Sequence, residues 1–412
     1  MAVLIPAWQE AAVIGATISH MLRAWPQGDY RLFIGCYGND PATLAAAARA
    51  AGGDGRVRLV IHDRAGPTTK ADCLNRLYRA LAQDEARTRR PYRGVLLHDA
   101  EDMVHPLALA VIDQALETAD FVQLPVRPEF PPGPRWVSGH YCDEFVESHA
   151  KAMVVRSALG AGLPAAGVGC AFSRVMLEKV AHERGAGGNP FAAECLTEDY
   201  ELGLLIARLK GRSRFLRLRD GSGQLIGTRS YFPATLPAAV RQKTRWIHGI
   251  SLQSWERLGW SRGLADIWMA LRDRRGPLTA LVLTCAYVLM LIEAGMLLAS
   301  LFVPTPMLRY SPAVLGLMRL GLAGFFWRAA MRFAFSAREY GLVEGCFAVL
   351  RIPVANVITI MAGRRAFVAY CRSLRGMRVA WEKTVHINHP ADHPVRLLRQ
   401  MAPPAAGLGQ AA

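Results

Sequence analysis

Apolar and polar positions follow two regimes along the chain, divided near residue 262. In the first 130 residues, short apolar runs alternate with stretches of helical period. Residues 2–5, 30–35, 56–61, 94–98 and 121–124 are too short for core helices and read as buried strands. Residues 10–25, 41–51, 70–81 and 106–117 between them carry the spacing of amphipathic helices. Strands alternating with helices predict an α/β domain with a mostly parallel sheet covered on both faces. Such sheets bind ligands beyond the carboxyl ends of their strands. The polar residues just after each apolar run are therefore the first candidates for chemistry.

From about residue 139 the alternation stops. Residues 140–158, 197–209 and 236–250 read as helices, and 160–169 as a small, glycine-rich stretch. Residues 215–218 and 225–228 read as a short hairpin around Asp220-Gly221-Ser222-Gly223. Residues 277–303 hold a single charge, Glu293, over 27 positions. As a helix this segment is roughly 40 Å long, against about 30 Å of hydrocarbon core, so it reads as a transmembrane helix. Residues 312–335 form a second candidate carrying Arg319, Arg328 and Arg332. Residues 343–361 form a third, interrupted by Arg351 and Pro353, which spans or lies in the interface. Arg272, Arg274 and Arg275 precede the first span, and Arg364, Arg365, Arg372 and Arg375 follow the third. Both flanks prefer the cytoplasm. That favours an even number of crossings, with 343–361 at the surface and the α/β part cytoplasmic. The division is then 1–262, a membrane region 263–365, and a basic segment with tail 366–412, disordered from about His389.

Composition sharpens this picture in three ways. Hydrophobic residues make up 52% and charged residues 20%, which excludes a disordered chain. The net charge of +16 implies an anionic partner: nucleic acid, a phosphorylated substrate or anionic lipid. With no zinc finger, basic arm or aromatic-and-basic RNA platform, nucleic acid is excluded as the partner. The eight cysteines form no CxxC pair, so neither zinc nor a disulfide framework is expected.

His98-Asp99-Ala100-Glu101-Asp102 follows the strand at 94–98. Three carboxylates in four residues repel one another unless a cation neutralises them, and hard oxygen ligands suit Mg²⁺ or Mn²⁺ holding a diphosphate. The bland alternative is an acidic turn capping the next helix. Thr197-Glu198-Asp199 opens a helix; it reads as an N-cap with dipole-complementing acids, or as a base aimed into a cleft. Gln242, Arg245 and Trp246 share one helical face. They suit a phosphate and a sugar ring, or an amphipathic helix resting on the membrane. Pro6 to Glu10 follow the first strand, and Pro67, Thr68, Thr69, Lys70 and Asn75 follow the third. Cys170, His248, His386, His389 and His393 read as structural or solvent-exposed.

Taken in order, AVLIPAWQEAAVIG, GPTTKADCLN, LLHDAEDMVHP, the DEF of CDEFVESHAK, AGVGCAFSR, LTEDYELG, AVRQKTRWIHGI and a late WEKTVH cover most of residues 1–390. This set resembles family 2 glycosyltransferases of the GT-A fold, in the membrane-bound branch of cellulose and hyaluronan synthases. It is most similar to the bacteriophage adsorption protein B type of inner-membrane glycosyltransferase. The resemblance implies a GT-A, Rossmann-like catalytic domain followed by a small helical transmembrane region in a bacterial inner membrane. It implies inverting transfer from a nucleotide-sugar, a UDP-sugar, onto a growing polysaccharide or a lipid-linked glycan, with Mg²⁺ or Mn²⁺. By this resemblance Pro6, Glu10 and Lys70 lie around the donor, and Asp99 near the ribose and metal. Glu101 is the metal-binding acid, assisted by Asp102. Asp199 is the general base, while Glu198, Gln242, Arg245 and Trp246 hold the acceptor and leaving diphosphate.

The chain departs from that pattern in places. Relatives carry an acid after the second strand, where Cys36-Tyr37 stands here, and Asp40 is the substitute the loop offers. They also carry a span before the catalytic domain, which points to a start upstream of Met1, and a regulatory domain where this chain has a short tail. The reading from another class is a non-catalytic membrane scaffold with export partners. Asp99, Glu101, Asp199 and Arg245 standing together speak against it.

Overall fold

The computed structural model describes residues 1–185, 188–261, 263–303, 310–376, 386 and 388–392. The first half alternates as expected: β1 (Ala2–Pro6), α1 (Ile14–Ala24), β2 (Arg31–Tyr37), α2 (Pro41–Ala51), β3 (Val57–His62), α3 (Lys70–Thr88), β4 (Gly94–Leu97), α4 (Ala108–Ala115) and β5 (Phe121–Gln123). Then come β6 (Val126–Glu129), α5 (Arg135–Glu147), α6 (Met153–Ala158), β7 (Cys170–Ser173), α7 (Arg174–Arg184), α8 (Glu198–Arg208), β8 (Ser213–Phe215), β9 (Thr228–Tyr231) and α9 (Leu236–Trp246).

The main sheet has the order β3-β2-β1-β4-β7-β5-β8. β3, β2, β1 and β4 run parallel, while β7 lies antiparallel between β4 and β5. β1 is buried on both faces, so its side chains alternate between two cores. Val3 and Ile5 pack with Leu32, Ile34, Ile14 and Ile18 under α1. Ala2 and Leu4 pack with Phe33, Leu74, Leu77 and Leu97 under α3. The hairpin at Asp220 is present but short: Asp220 N–H donates to Gln224 O (2.9 Å), Ile226 N–H donates to Leu218 O (3.0 Å), and Arg219 faces Leu225 in an antiparallel bridge. β8 extends the main sheet beside β5, whereas β9 pairs in parallel with β6 in a separate two-stranded sheet. The expected helix 140–158 starts at Arg135 and is interrupted by a π-helical turn, Ser148–Ala152. A second π-helical turn, Ile247–Gln253, follows α9.

α10 (Ser254–Leu258) and α11 (Leu264–Arg274) lead to α12 (Gly276–Ser300), α13 (Pro312–Tyr340), α14 (Leu342–Leu350) and α15 (Ile352–Ser373). Among the described residues, α12, α13 and α15 are long and apolar enough to cross a membrane. The third candidate therefore differs from the expected 343–361: the chain breaks at Arg351. Pro353, in the first turn of α15, cannot continue a helix through this point, and a buried charge cluster holds the junction. Arg351, 2% exposed, donates Nε and Nη2 to Asp143 of α5, both at 2.8 Å, and Nη1 to Glu344 at 3.0 Å. A single helix through 351 gives way to two that meet on this guanidinium. Glu339 at the end of α13 likewise gathers Arg127 (3.1 Å), Arg217 (3.2 Å) and Arg219 (2.7 Å) of the sheet domain. α15 rests on α5 and α9 through Ile358 and Ala362 against Tyr141, Ala239 and Val240.

The tail also departs from expectation. His389 is buried, its Nε2 facing Asp102 O at 3.4 Å, and a 3₁₀ turn, Pro390–Asp392, follows it. Residues 386 and 388–392 thus lie against the α/β domain. Residues 393–412, His393 and residues 381–385 of the late WEKTVH motif lie outside the described residues.

Candidate active site

One cleft opens at the carboxyl ends of β1, β3 and β4, and the eleven residues to which the resemblance gave a role all line it. The loop after β1 carries Pro6 and Glu10. Asp40 fixes this loop, because its Oδ2 accepts from Gln9 N–H (2.6 Å) and its Oδ1 from Thr43 N–H (3.3 Å) at the start of α2. Asp40 is thus a buried helix cap, and it does not replace the missing acid after β2. That position is aromatic instead. Tyr37 shares a hydrogen bond with Thr68 Oγ1 (2.7 Å), stacks on His62 and meets the edge of Trp8, with ring centres 5.0 Å apart.

After β4 the three carboxylates face three ways, which is how the loop tolerates them. Asp102 is 1% exposed; its Oδ2 accepts from Asp99 N–H (2.9 Å) and lies 2.9 Å from His98 Nδ1. Asp99 pairs with Lys70 Nζ at 2.5 Å, at the first residue of α3. Glu101 lies 3.2 Å from His386 Nε2, whose Nδ1 is 3.1 Å from Glu10. One ligand atom from each of Glu10, Glu101 and His386 falls within a span of 4.8 Å. Two carboxylate oxygens and an imidazole nitrogen so close are a donor set suited to Mn²⁺ or Mg²⁺. Burial pushes the Glu101 carboxyl up, opposed by His386. Burial favours the neutral form of His386, but Glu101 and Glu10 outweigh it and push the imidazole up to about 9. A positive charge is thus favoured where those carboxylates meet.

Lys70 stands between Asp99 and Asp199. Burial acts against its charge, yet Asp99, Glu198 and Asp199 together raise its pKa. Glu198 and Asp199 open the first turn of α8 beside the glycine-rich loop after α6. Burial pushes Glu198 up to about 8, with Asp199 adding to it, and burial raises Asp199 against the pull of Lys70. Gly167 makes this closeness possible. It has φ +77°, and a Cβ there would lie 2.2 Å from Asp199 Oδ2 and 3.3 Å from Lys70 Nζ. Gly167→Ala is expected to displace the Asp199 carboxylate, lowering any Asp199-dependent turnover at least tenfold. Its effect on stability is about 1 kcal/mol. Turnover and thermal unfolding measured side by side check this.

α9 closes the cleft with Gln242, Arg245 and Trp246. Trp246 packs edge-on against Tyr141, Phe145 and Phe232, which fixes its ring. Gln242 Oε1 is a buried acceptor without a hydrogen-bond partner among the described residues. Lys243 points away and pairs with Glu144. Cys170 and His248 are buried in the core, as read from the sequence. His386 is the residue the sequence reading misplaced: it lines the cleft. Trp8, Tyr37 and Gly167 join it there or beside it without having been assigned a role.

Comparison with known proteins follows this geometry. Residues 1–249 match the family described as Glycosyltransferase like family 2. The chain is 33% identical over 409 residues to bacteriophage adsorption protein B of Escherichia coli K12 and, equally, to bacteriophage N4 adsorption protein B of Escherichia coli O157:H7. These alignments cover 94% of this chain and 54% of the relatives, so the chain spans about half their length. A mannosyltransferase from Pyrobaculum calidifontis, solved with GDP-Man and Mn²⁺, superposes with a TM-score of 0.51 at 16% identity. That match covers 85% of this chain and 86% of the other, and it shows a shared GT-A fold.

Proposed function

The chain belongs to glycosyltransferase-like family 2, and on that premise we propose that it is a membrane-bound inverting glycosyltransferase. It moves a sugar from a nucleotide-sugar, of the UDP type, onto a growing polysaccharide or a lipid-linked glycan. The observation that carries this reading is one cleft holding both a buried carboxylate at a helix start, Asp199, and the Glu10, Glu101 and His386 donor set.

In this mechanism Asp199 accepts the proton of the acceptor hydroxyl. The freed oxygen pair forms the new bond to the anomeric carbon on the face opposite the leaving group. The old carbon–oxygen bond breaks, and its electron pair leaves with the nucleoside diphosphate. Lys70 and Arg245 meet the growing phosphate charge. Gln242 Oε1 accepts from an acceptor hydroxyl, Glu198 lies at the diphosphate, and Trp246 presents its face to a sugar ring. Pro6 and Glu10 shape the donor side. Glu101, with Asp99, Glu10 and His386, would hold Mg²⁺ or Mn²⁺, which would supply neutralisation of the diphosphate. Asp102 holds the loop through Asp99 N–H and His98.

The membrane reading rests on parity. α12 leaves the domain at Gly276, and α13 comes back to it, with Arg332 3.4 Å from Glu147 and Glu339 bound to Arg127. His386 and His389 also lie against the domain. This supports two crossings, α12 and α13, with α14 and α15 on the side of the catalytic domain. Arg364, Arg365, Arg372 and Arg375 at the end of α15 favour the cytoplasm for that side, and a bacterial inner membrane for the whole.

The test is release of nucleoside diphosphate by the detergent-purified chain from a panel of UDP-sugars and GDP-mannose, with membrane extract as acceptor. EDTA is expected to abolish release and Mn²⁺ to restore it. Glu101→Gln is expected to weaken half-saturation by metal by roughly 10- to 100-fold. The relatives' naming for phage adsorption favours a second reading, a non-catalytic scaffold for export partners. Binding of nucleotide-sugar with no turnover from any donor would favour that reading.

A further inference from the structure

A second cleft lies beyond the far side of α8, lined by Tyr200, Leu204, Arg208, Trp260, Asp266 and Arg274. It is separate from the catalytic cleft: α8 starts at Glu198 beside the candidate base, and Arg208 lies about 15 Å further along its axis.

The charges at this second cleft do not balance. Arg156, on its wall, is matched by Asp273 (2.8 Å) and by Gly162 O (2.6 Å), and Asp273 also accepts from Tyr200 Oη (2.7 Å). Asp266 is held by Gly162 N–H at 2.9 Å. Arg208 and Arg274 have no carboxylate within ion-pair distance among the described residues. Arg208 donates only to Leu258 O, and Arg274 only to Gly259 O. Arg274 is sandwiched on the rings of Trp260 (4.5 Å) and Trp255 (5.3 Å). Burial and the repulsion of Arg208 both work against its charge, with Tyr200 and Asp273 opposing them. Two guanidinium groups that repel each other, neither of them ion-paired to Asp266 on the same cleft, are a site for an anion.

The surroundings say what presents that anion. Arg274 ends α11, and α12 starts two residues later at Gly276, so the cleft sits where the chain enters the apolar layer. Around it Trp255, Trp260, Leu264, Trp268 and Leu271 are exposed, Leu264 by 85%. Tryptophan and arginine beside the start of an apolar helix form an interfacial belt. Inorganic phosphate in solution has no use for these apolar residues, whereas a lipid headgroup with its acyl chains does.

We propose that the Arg208–Arg274 cleft binds the phosphate of one anionic phospholipid, fixing α11 at the membrane surface. This site is distinct from the acceptor site and does not depend on the catalytic reading.

The full chain, purified and delipidated in detergent, is mixed with phosphatidylglycerol or phosphatidylcholine, and bound lipid is read by native mass spectrometry. One phosphatidylglycerol per chain is expected to survive activation that strips phosphatidylcholine. Arg208→Gln and Arg274→Gln are each expected to weaken retention about fivefold, and Arg274→Lys by less. Arg208 is exposed, so its variant reads charge without disturbing the fold. Millimolar inorganic phosphate is expected not to displace the lipid. Displacement by phosphate alone would overturn the lipid as occupant and assign the cleft to a soluble phosphate. Equal retention by wild type and Arg208→Gln, with unchanged thermal unfolding, would overturn the proposal.

Discussion

Asp199→Asn is expected to reduce sugar transfer by roughly 10²–10⁴-fold while leaving nucleotide-sugar affinity within about twofold. The asymmetry follows from what the side chain touches. Asp199 Oδ1 accepts from Tyr200 N–H at 2.7 Å, a bond the asparagine oxygen keeps, so the first turn of α8 retains its shape. Lys70 keeps Asp99 as its 2.5 Å partner, so the donor side stays charged as before. The capacity to take a proton is removed, together with one of the three carboxylates that favour the Lys70 charge, of which Asp99 and Glu198 remain. Initial rates of diphosphate release, beside nucleotide binding by titration calorimetry, separate the two effects. Loss of binding together with rate would make Asp199 a structural anchor of the cleft; an unchanged rate would place the base elsewhere.

The second large effect is on stability. Arg351→Met is expected to cost about 3–5 kcal/mol, because Asp143 is left as a buried carboxylate without its cation. Asp143 is fully buried and keeps only Ser336 Oγ at 3.1 Å. Glu344 loses one of its two guanidinium partners and keeps Arg135. The double variant Asp143→Leu with Arg351→Met is expected to regain much of the loss, since it removes both charges. Thermal unfolding in detergent of the single and double variants measures this. A single variant as stable as wild type would mean that the cluster is not what holds α14 and α15 to α5. Gly139 belongs to the same arrangement: a Cβ there would stand 2.9 Å from the Arg351 side chain.

These residues also mark where the sequence was readable. β1 to β5 were legible because a parallel sheet covered on both faces needs continuous apolar runs, and β1 and β4 are such runs. β7 was not, because four residues that start beside Gly169 carry too little pattern to distinguish strand from loop; their pairing depends on Gly94–Leu97, far away in the chain. The hairpin at 220 was legible only next to its turn, where Arg219 faces Leu225. A turn is local, but the partners of β8 and β9 are not. Arg351 and Pro353 were legible as an interruption of the third apolar segment, and the chain breaks there, but the partners of Arg351 were not legible, since only the folded chain brings Asp143 and Glu344 to it. The cleft residues were legible because they sit at element starts and strand ends, in motifs whose order could be compared. His386 was the exception. It stands in a stretch without periodicity, 376 residues from Glu10, and nothing local signals that the two meet.

That last contact constrains the order in which the protein can be made. The cleft draws its other walls from residues 6–246, synthesised before α12, α13 and α15. His386 is synthesised after all of them. A nascent chain therefore holds an incomplete Glu10–Glu101 donor set throughout the interval in which its apolar helices are being placed. Only when the segment bearing His386 clears the ribosome and folds back does the third donor arrive. The cluster is thus completed after the membrane segment, and a chain stalled or clipped before residue 386 would carry the fold with only Glu10 and Glu101 of the three donors.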